Sequence, residues 1–162
     1  MADSSFDIVS EFDRQELVNA IDIAKKELVN RYDFKNVKTE IRLEEDRVII
    51  QTQDEYKLAA VYDILQSKVI KRGLSLKIFD PQKVESAAGS SVRQALLLRQ
   101  SLTADQCREL NKTIRKQFPK IKVQIQGDTL RVSDKSKDVL QGIIQFCKNL
   151  DFAAPLVFKN YR

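Results

Sequence analysis

The chain has 162 residues, 43% hydrophobic and 31% charged, with no histidine, no tryptophan and one methionine. That length suits one medium domain or two small ones, and the composition excludes any mechanism resting on an imidazole base, an imidazole-activated nucleophile or a histidine-ligated metal. The net charge of +5 is uneven, with 13 Lys/Arg against 15 Asp/Glu in residues 1–79 and 14 against 6 in residues 92–162, so a phosphate-bearing partner and an internal charge complement between the halves are both open readings.

Phe6 to Glu11 reads as a short strand. Asp13 opens a helix, with Glu16 as its capping-box partner and Leu17, Ala20, Ile21, Ala24 and Leu28 on one face, ending near Asn30. Val37, Thr39, Ile41 and Leu43 alternate with polar residues, Glu44-Glu45-Asp46 turns the chain, and a second strand runs through Val48 and Ile50. Thr52 with Glu55 reads as another capping box, Leu58, Val61, Leu65 and Val69 give the apolar stripe of a second helix, and Gly73 supplies its C-terminal cap. Leu74, Leu76 and Ile78 alternate as a last strand. Asp80 to Ser91, with a proline, a glycine and three serines, reads as a linker.

The order then repeats. Val92 to Arg99 is a strand, and Thr103 with Gln106 caps a helix carrying Cys107, Leu110, Ile114 and Phe118, stopped by Pro119. Ile121, Val123 and Ile125 alternate with Lys122, Gln124 and Gln126, Gly127-Asp128 turns, and Leu130 and Val132 continue. Ser133 starts a final helix with Leu140, Ile143, Ile144, Cys147 and Leu150 on its apolar face, and Leu156 to Phe158 closes the chain. Strand, helix, hairpin, helix, strand, twice over, predicts an α+β protein of two ferredoxin-like βαββαβ units. Each has a four-stranded antiparallel sheet with both helices on one face.

The segments FDIVSE, RYDFK, VIKRGL and VQIQGDTLRVSDKSKDVLQ occur here in the order and spacing of the YajQ family of bacterial nucleotide-binding proteins, and the resemblance covers essentially the whole chain. It implies that the first strands are exchanged. The N-terminal domain would then be residues 13–80 plus the strand 92–99, residues 81–91 the linker, and the C-terminal domain residues 103–162 plus the strand 5–11. The resemblance also implies nucleotide binding, with cyclic di-GMP as the ligand of some members, and links to RNA. Two family glycines are replaced, by Asn36 and by Asp134. Asparagine tolerates a left-handed backbone; the acid opposes a close phosphate.

With four glycines and no GxxxxGK[ST] or GxGxxG segment, no cradle of backbone amides is expected, so a phosphate must be held by side chains. The candidates are Lys71 and Arg72 at the end of the second helix, Lys122 and Arg131 (with Lys120) on the second hairpin, and Lys159 and Arg162 at the tail. For Lys71 and Arg72, complementing the helix dipole is the simpler reading. Gln124 and Gln126 share the wet hairpin face with Lys122 and Arg131 and pair donors with acceptors. That face reads equally as a solvated surface or a platform for phosphate and base edges. It carries no aromatic residue, so stacking of the RNP1 type is not expected. In RYDFK, Phe34 is expected to seal helix against sheet and Asp33 to tether Arg31 or Lys35. Arg31, Tyr32 and Lys35 are candidates to clamp a phosphate and stack a purine; the tail VFKNYR repeats that chemistry.

Acids are unpaired by motif, no Ser or Cys sits beside a base, and both cysteines fall on apolar helix faces without CxxC spacing. A binding role is favoured over an enzymatic one. No cofactor is expected. The cysteine usage, the absence of a segment resembling a signal peptide and the lack of an apolar run near roughly 18 residues point to the cytoplasm. The reading is a nucleotide-binding regulator acting through a protein partner, with an RNA-associated module using the basic half as the alternative.

Overall fold

The computed structural model describes residues 3–162. Among them the elements run β1 (Ser4–Val9), α1 (Arg14–Asn30), β2 (Glu40–Leu43), β3 (Arg47–Thr52), α2 (Glu55–Lys71), β4 (Phe79–Pro81), β5 (Glu85–Ala87), β6 (Ser91–Leu98), α3 (Ala104–Gln117), β7 (Lys122–Gln126), β8 (Thr129–Asp134), α4 (Lys137–Lys148) and β9 (Val157–Lys159). Phe12–Leu98 forms one compact unit. The chain up to Glu11 joins Arg99–Arg162 in the other.

In the unit of residues 12–98, α1 starts where the Asp13 carboxylate accepts the Gln15 N–H, and its buried stripe is the one its spacing predicts, Leu17, Ala20, Ile21, Ala24 and Leu28. α2 ends at Gly73. There φ is +82°, the Gly73 N–H bonds to the Ile70 carbonyl and the Leu74 N–H to the Val69 carbonyl, a Schellman turn that needs a residue free to adopt the left-handed region. The sheet order is β2-β3-β6-β4, all antiparallel, with β5 also on β6. Val48, Ile50 and Leu96 on its inner face meet Leu58, Val61 and Leu65 of α2 in one core.

In the other unit the order is β7-β8-β1-β9, with Phe6 opposite Val132 and Ile8 opposite Leu130 and Phe158. The capping box before α3 forms as the sequence predicts: Gln106 N–H to Thr103 Oγ1 at 3.1 Å and Thr103 N–H to Gln106 Oε1 at 3.0 Å. The inner strand residues close on Leu110, Ile114 and Ile143, with Cys107 and Cys147 in the same core. Four helices and two antiparallel sheets give the α+β, doubly ferredoxin-like architecture.

The differences from the sequence reading are local. Glu16 does not close a capping box, because its carboxylate accepts from Asn19 and Arg72 instead. Thr52 is buried, within 2.9 Å of the Thr39 hydroxyl, and α2 is capped by Asp54, which accepts the Lys57 N–H at 2.8 Å. Leu76–Ile78 is a 3-10 turn and the strand begins only at Phe79. Residues 80–91 are not a free linker, since β5 pairs along β6 from Glu85 opposite Arg93 to Ala87 opposite Ser91. α4 is capped by Ser136 rather than begun at Ser133, which remains in β8.

Candidate functional site

RYDFK is a single 3-10 turn, Tyr32–Phe34, after α1, so its two rings do not share a side as an extended segment would place them. Phe34 is 6% exposed inside the core and Tyr32 is 90% exposed. The Arg31 guanidinium forks onto Asp33 (2.9 and 2.8 Å) and lies 5.7 Å from the Phe34 ring centre. Lys57 sits 5.0 Å from the same ring and donates to the Asp33 carbonyl. Phe34 is thus the expected seal and Asp33 the expected tether. Arg31 is committed to the turn, and its pairing with Asp33 holds that carboxyl below the usual carboxylate range.

Lys35 has a different setting. It lies at the rim of a groove of about 940 Å³ between α1 and the free edge of β2. Val18 and Val29 of α1 form one wall, Val37 and Leu43 the other, and Phe34 and Ile41 the floor. Asn36 turns the chain at this rim with φ +63°, the left-handed backbone that the asparagine permits in place of glycine. Lys25 and Lys35 border the groove, and the side-chain ammonium of neither is hydrogen-bonded or ion-paired to another described residue; Asp22, Glu40 and Arg42 also border it. An apolar slot with two uncommitted cations and two carboxylates at its rim combines the groups that recognise a planar heterocycle carrying phosphate. The sequence reading missed Lys25 and Arg42. Lys25 lies four residues after Ile21, on the flank of the helix stripe, and nothing in the sequence shows that β2 leaves that flank open.

The wet face of the C-terminal hairpin is more occupied than its sequence indicates. Gln124, Arg131, Asp7 and Lys159 lie opposite one another in a row across β7, β8, β1 and β9. Arg131 donates to Asp7 from Nε at 3.0 Å, and Asn160 donates to the other Asp7 oxygen at 2.8 Å. Asp7 is only 4% exposed. Burial pushes its pKa up, yet the hydrogen bonds from Arg131 and Asn160 hold it below the ordinary value. Lys159 pairs with Glu11 at 2.9 Å, leaving Gln124 of this row exposed together with its β7 neighbours Lys122 and Gln126. Asp134 accepts the Ser136 N–H at 3.0 Å and so serves the turn before α4.

The remaining candidates stand apart. Arg72 caps α2 and pairs at 2.8 Å with Glu16 in the first turn of α1. Fourteen helical residues lie between Glu16 and Arg31, about 22 Å along the axis, so Arg72 belongs to the other end of α1 from RYDFK, while Lys71 is one of the cations that hold the Glu27 carboxyl down. Arg162 bridges Ser5 through its backbone, N–H and carbonyl both, beside Tyr161 and Lys137 at a smaller cavity of about 410 Å³. No group of acids and thiols that could hold a metal ion, and no helix long and apolar enough to cross a membrane, occurs among the described residues.

Two ferredoxin-like units carrying a slot with cations at its rim define a protein built for binding. The chain belongs to the family described as nucleotide-binding protein YajQ-like, whose profile matches residues 4–162. It is 54% identical over 159 residues to a nucleotide-binding protein of Synechococcus elongatus and 52% identical over 159 residues to one of Trichodesmium erythraeum, each match covering 98% of both chains. It is 48% identical over 163 residues to one of Roseiflexus, covering 99% of both.

Proposed function

We propose that this protein is a non-catalytic, cytoplasmic nucleotide sensor that seats its ligand in the groove between α1 and β2. Its ligand is a cyclic dinucleotide such as cyclic di-GMP, and its liganded state is read by a protein partner. The observation that carries this reading is the pair of uncommitted cations, Lys25 and Lys35, at the mouth of an apolar slot of about 940 Å³. That volume lies within the range of small-molecule sites, roughly 300 to 1,000 Å³. Two phosphates need two cations and two purines need apolar walls. Asp22 and Glu40 at the rim add acceptors of the kind that the N1 and N2 donors of guanine need. Neither thiol is available as a nucleophile, because both are buried in the core and burial pushes the Cys147 thiol up to about 12.

The second reading, an RNA-associated module, is favoured by the 14 Lys/Arg against 6 Asp/Glu of residues 92–162 and by the exposed Lys122, Gln124 and Gln126. Calorimetric titration with mono- and cyclic dinucleotides, followed by RNA binding over a salt series, separates the two. Saturable binding of one small nucleotide supports the sensor. A steep salt slope with RNA and no heat from any nucleotide supports the module instead.

A further inference from the structure

We infer that the open edge of β2 is a self-association seam, through which a second copy of this chain continues the sheet across a two-fold axis. Among the described residues β2 is hydrogen-bonded as a strand to β3 alone, and its other edge is free. Its sequence, Glu40-Ile41-Arg42-Leu43, contains neither the proline nor the lysine with which sheets commonly guard an edge. An exposed edge of this kind recruits a strand, and the side chains decide which one.

Here they select the same strand reversed. With the two-fold axis at Ile41, antiparallel pairing sets Ile41 against its own counterpart on the helix side of the sheet. On the outer face Glu40 then stands opposite Arg42 of the second copy, and Arg42 opposite its Glu40. A two-fold interface must be self-complementary in this way, and opposite charges directly across strands favour the pairing while like charges oppose it. In the single chain Arg42 meets Glu40 at 3.5 Å and Glu44 at 3.2 Å along one strand, and all three are about half exposed, so these pairs can be exchanged for contacts across the seam at little cost. Beneath the edge, Val29 stands 85% exposed on α1 at the wall of the groove, an apolar surface that a neighbouring copy would cover. On the same side of α1, Asp22 and Lys25 border the groove with one charge of each sign.

The seam is separable from the nucleotide reading. A ligand in the groove and a second copy at its edge compete for the same space, so association is measured with nucleotide removed. Sedimentation over a wide concentration series should take the wild-type mass from 18.7 kDa towards twice that value. Arg42→Glu places acids opposite acids and Glu40→Arg places cations opposite cations, so each alone should remain a monomer. An equimolar mixture of the two variants restores both opposite-sign pairs in a mixed dimer and should sediment again as a dimer. Misfolding of a variant would not be repaired by mixing. A wild-type chain that stays monomeric throughout overturns the proposal and leaves the edge to a foreign strand. Single variants that dimerise like wild type, or a mixture that stays monomeric while wild type associates, overturn it equally.

Discussion

Within RYDFK, neighbouring residues have opposite duties. Phe34 is a core residue at 6% exposure, held between cations on its ring, while Lys35 one position later is exposed at the groove rim. Phe34→Ala should therefore lower fold stability by about 3 kcal/mol in urea denaturation, through lost burial and the cavity left behind. Lys35→Ala should leave the denaturation curve within about 0.5 kcal/mol of wild type and weaken nucleotide binding by about 1 to 3 kcal/mol, the worth of a charge-assisted contact. Arg31 differs from Lys35 because Asp33 already holds its guanidinium. Such an exposed pair contributes little to folding. The thiols are a second test at this scale. Cys107 and Cys147 both lie in the apolar core and burial raises both pKa values, that of Cys147 to about 12, so a thiol reagent at neutral pH should modify native protein far more slowly than urea-unfolded protein.

Among the elements, the β1 and β8 pairing carries a buried carboxylate whose ionisation contributes to the fold. Asp7 is buried and ionised, fixed by Arg131 and Asn160. Its folded pKa lies below its unfolded value of about 4, so its stabilising contribution is fully present above that pH and is lost as the pH falls towards the folded value. Arg131→Ala should destabilise the protein by a moderate amount at neutral pH. That is less than for a wholly enclosed pair, since Arg131 is partly exposed, and the deficit should shrink on acidification because a protonated Asp7 needs no cation. Denaturant melts at neutral and acid pH check both statements. The periodic parts of these elements were legible in the sequence: the stripes of α1 and α3, the Thr103 capping box and the Gly73 stop all follow from local spacing. The Asp7 anchor was not, because its partner is 124 positions away and only the register of β1 on β8 brings them together. For the same reason Gln124 and Arg131 could be placed on one face from alternation, whereas the occupation of Arg131 could not. Residues 80–91 misled through composition: glycine, proline and serine there mark turns around a short paired strand.

At the scale of the whole molecule, strand pairing determines where the chain can be divided. β6 is central in the sheet of residues 12–98, and β1 is central in the sheet completed by residues 99–162. A cut between residues 85 and 86 takes β6 from the first and β1 from the second, so fragments 1–85 and 86–162 should each lack a cooperative thermal transition. A fragment of residues 12–98 keeps its whole sheet and should melt cooperatively. Equal folding of all three would contradict the pairing as the source of stability.

The proposed nucleotide site is the groove between α1 and β2, and mapping amide chemical shifts during titration with cyclic di-GMP, or with whichever mono- or cyclic dinucleotide binds, tests it at every residue at once. The perturbed signals should cluster at Lys25, Val29, Lys35 to Val37 and Glu40 to Leu43, with β7 and β8 unmoved. Shifts gathered on Lys122, Gln124, Gln126 and Arg131 instead, with the groove silent, would contradict it.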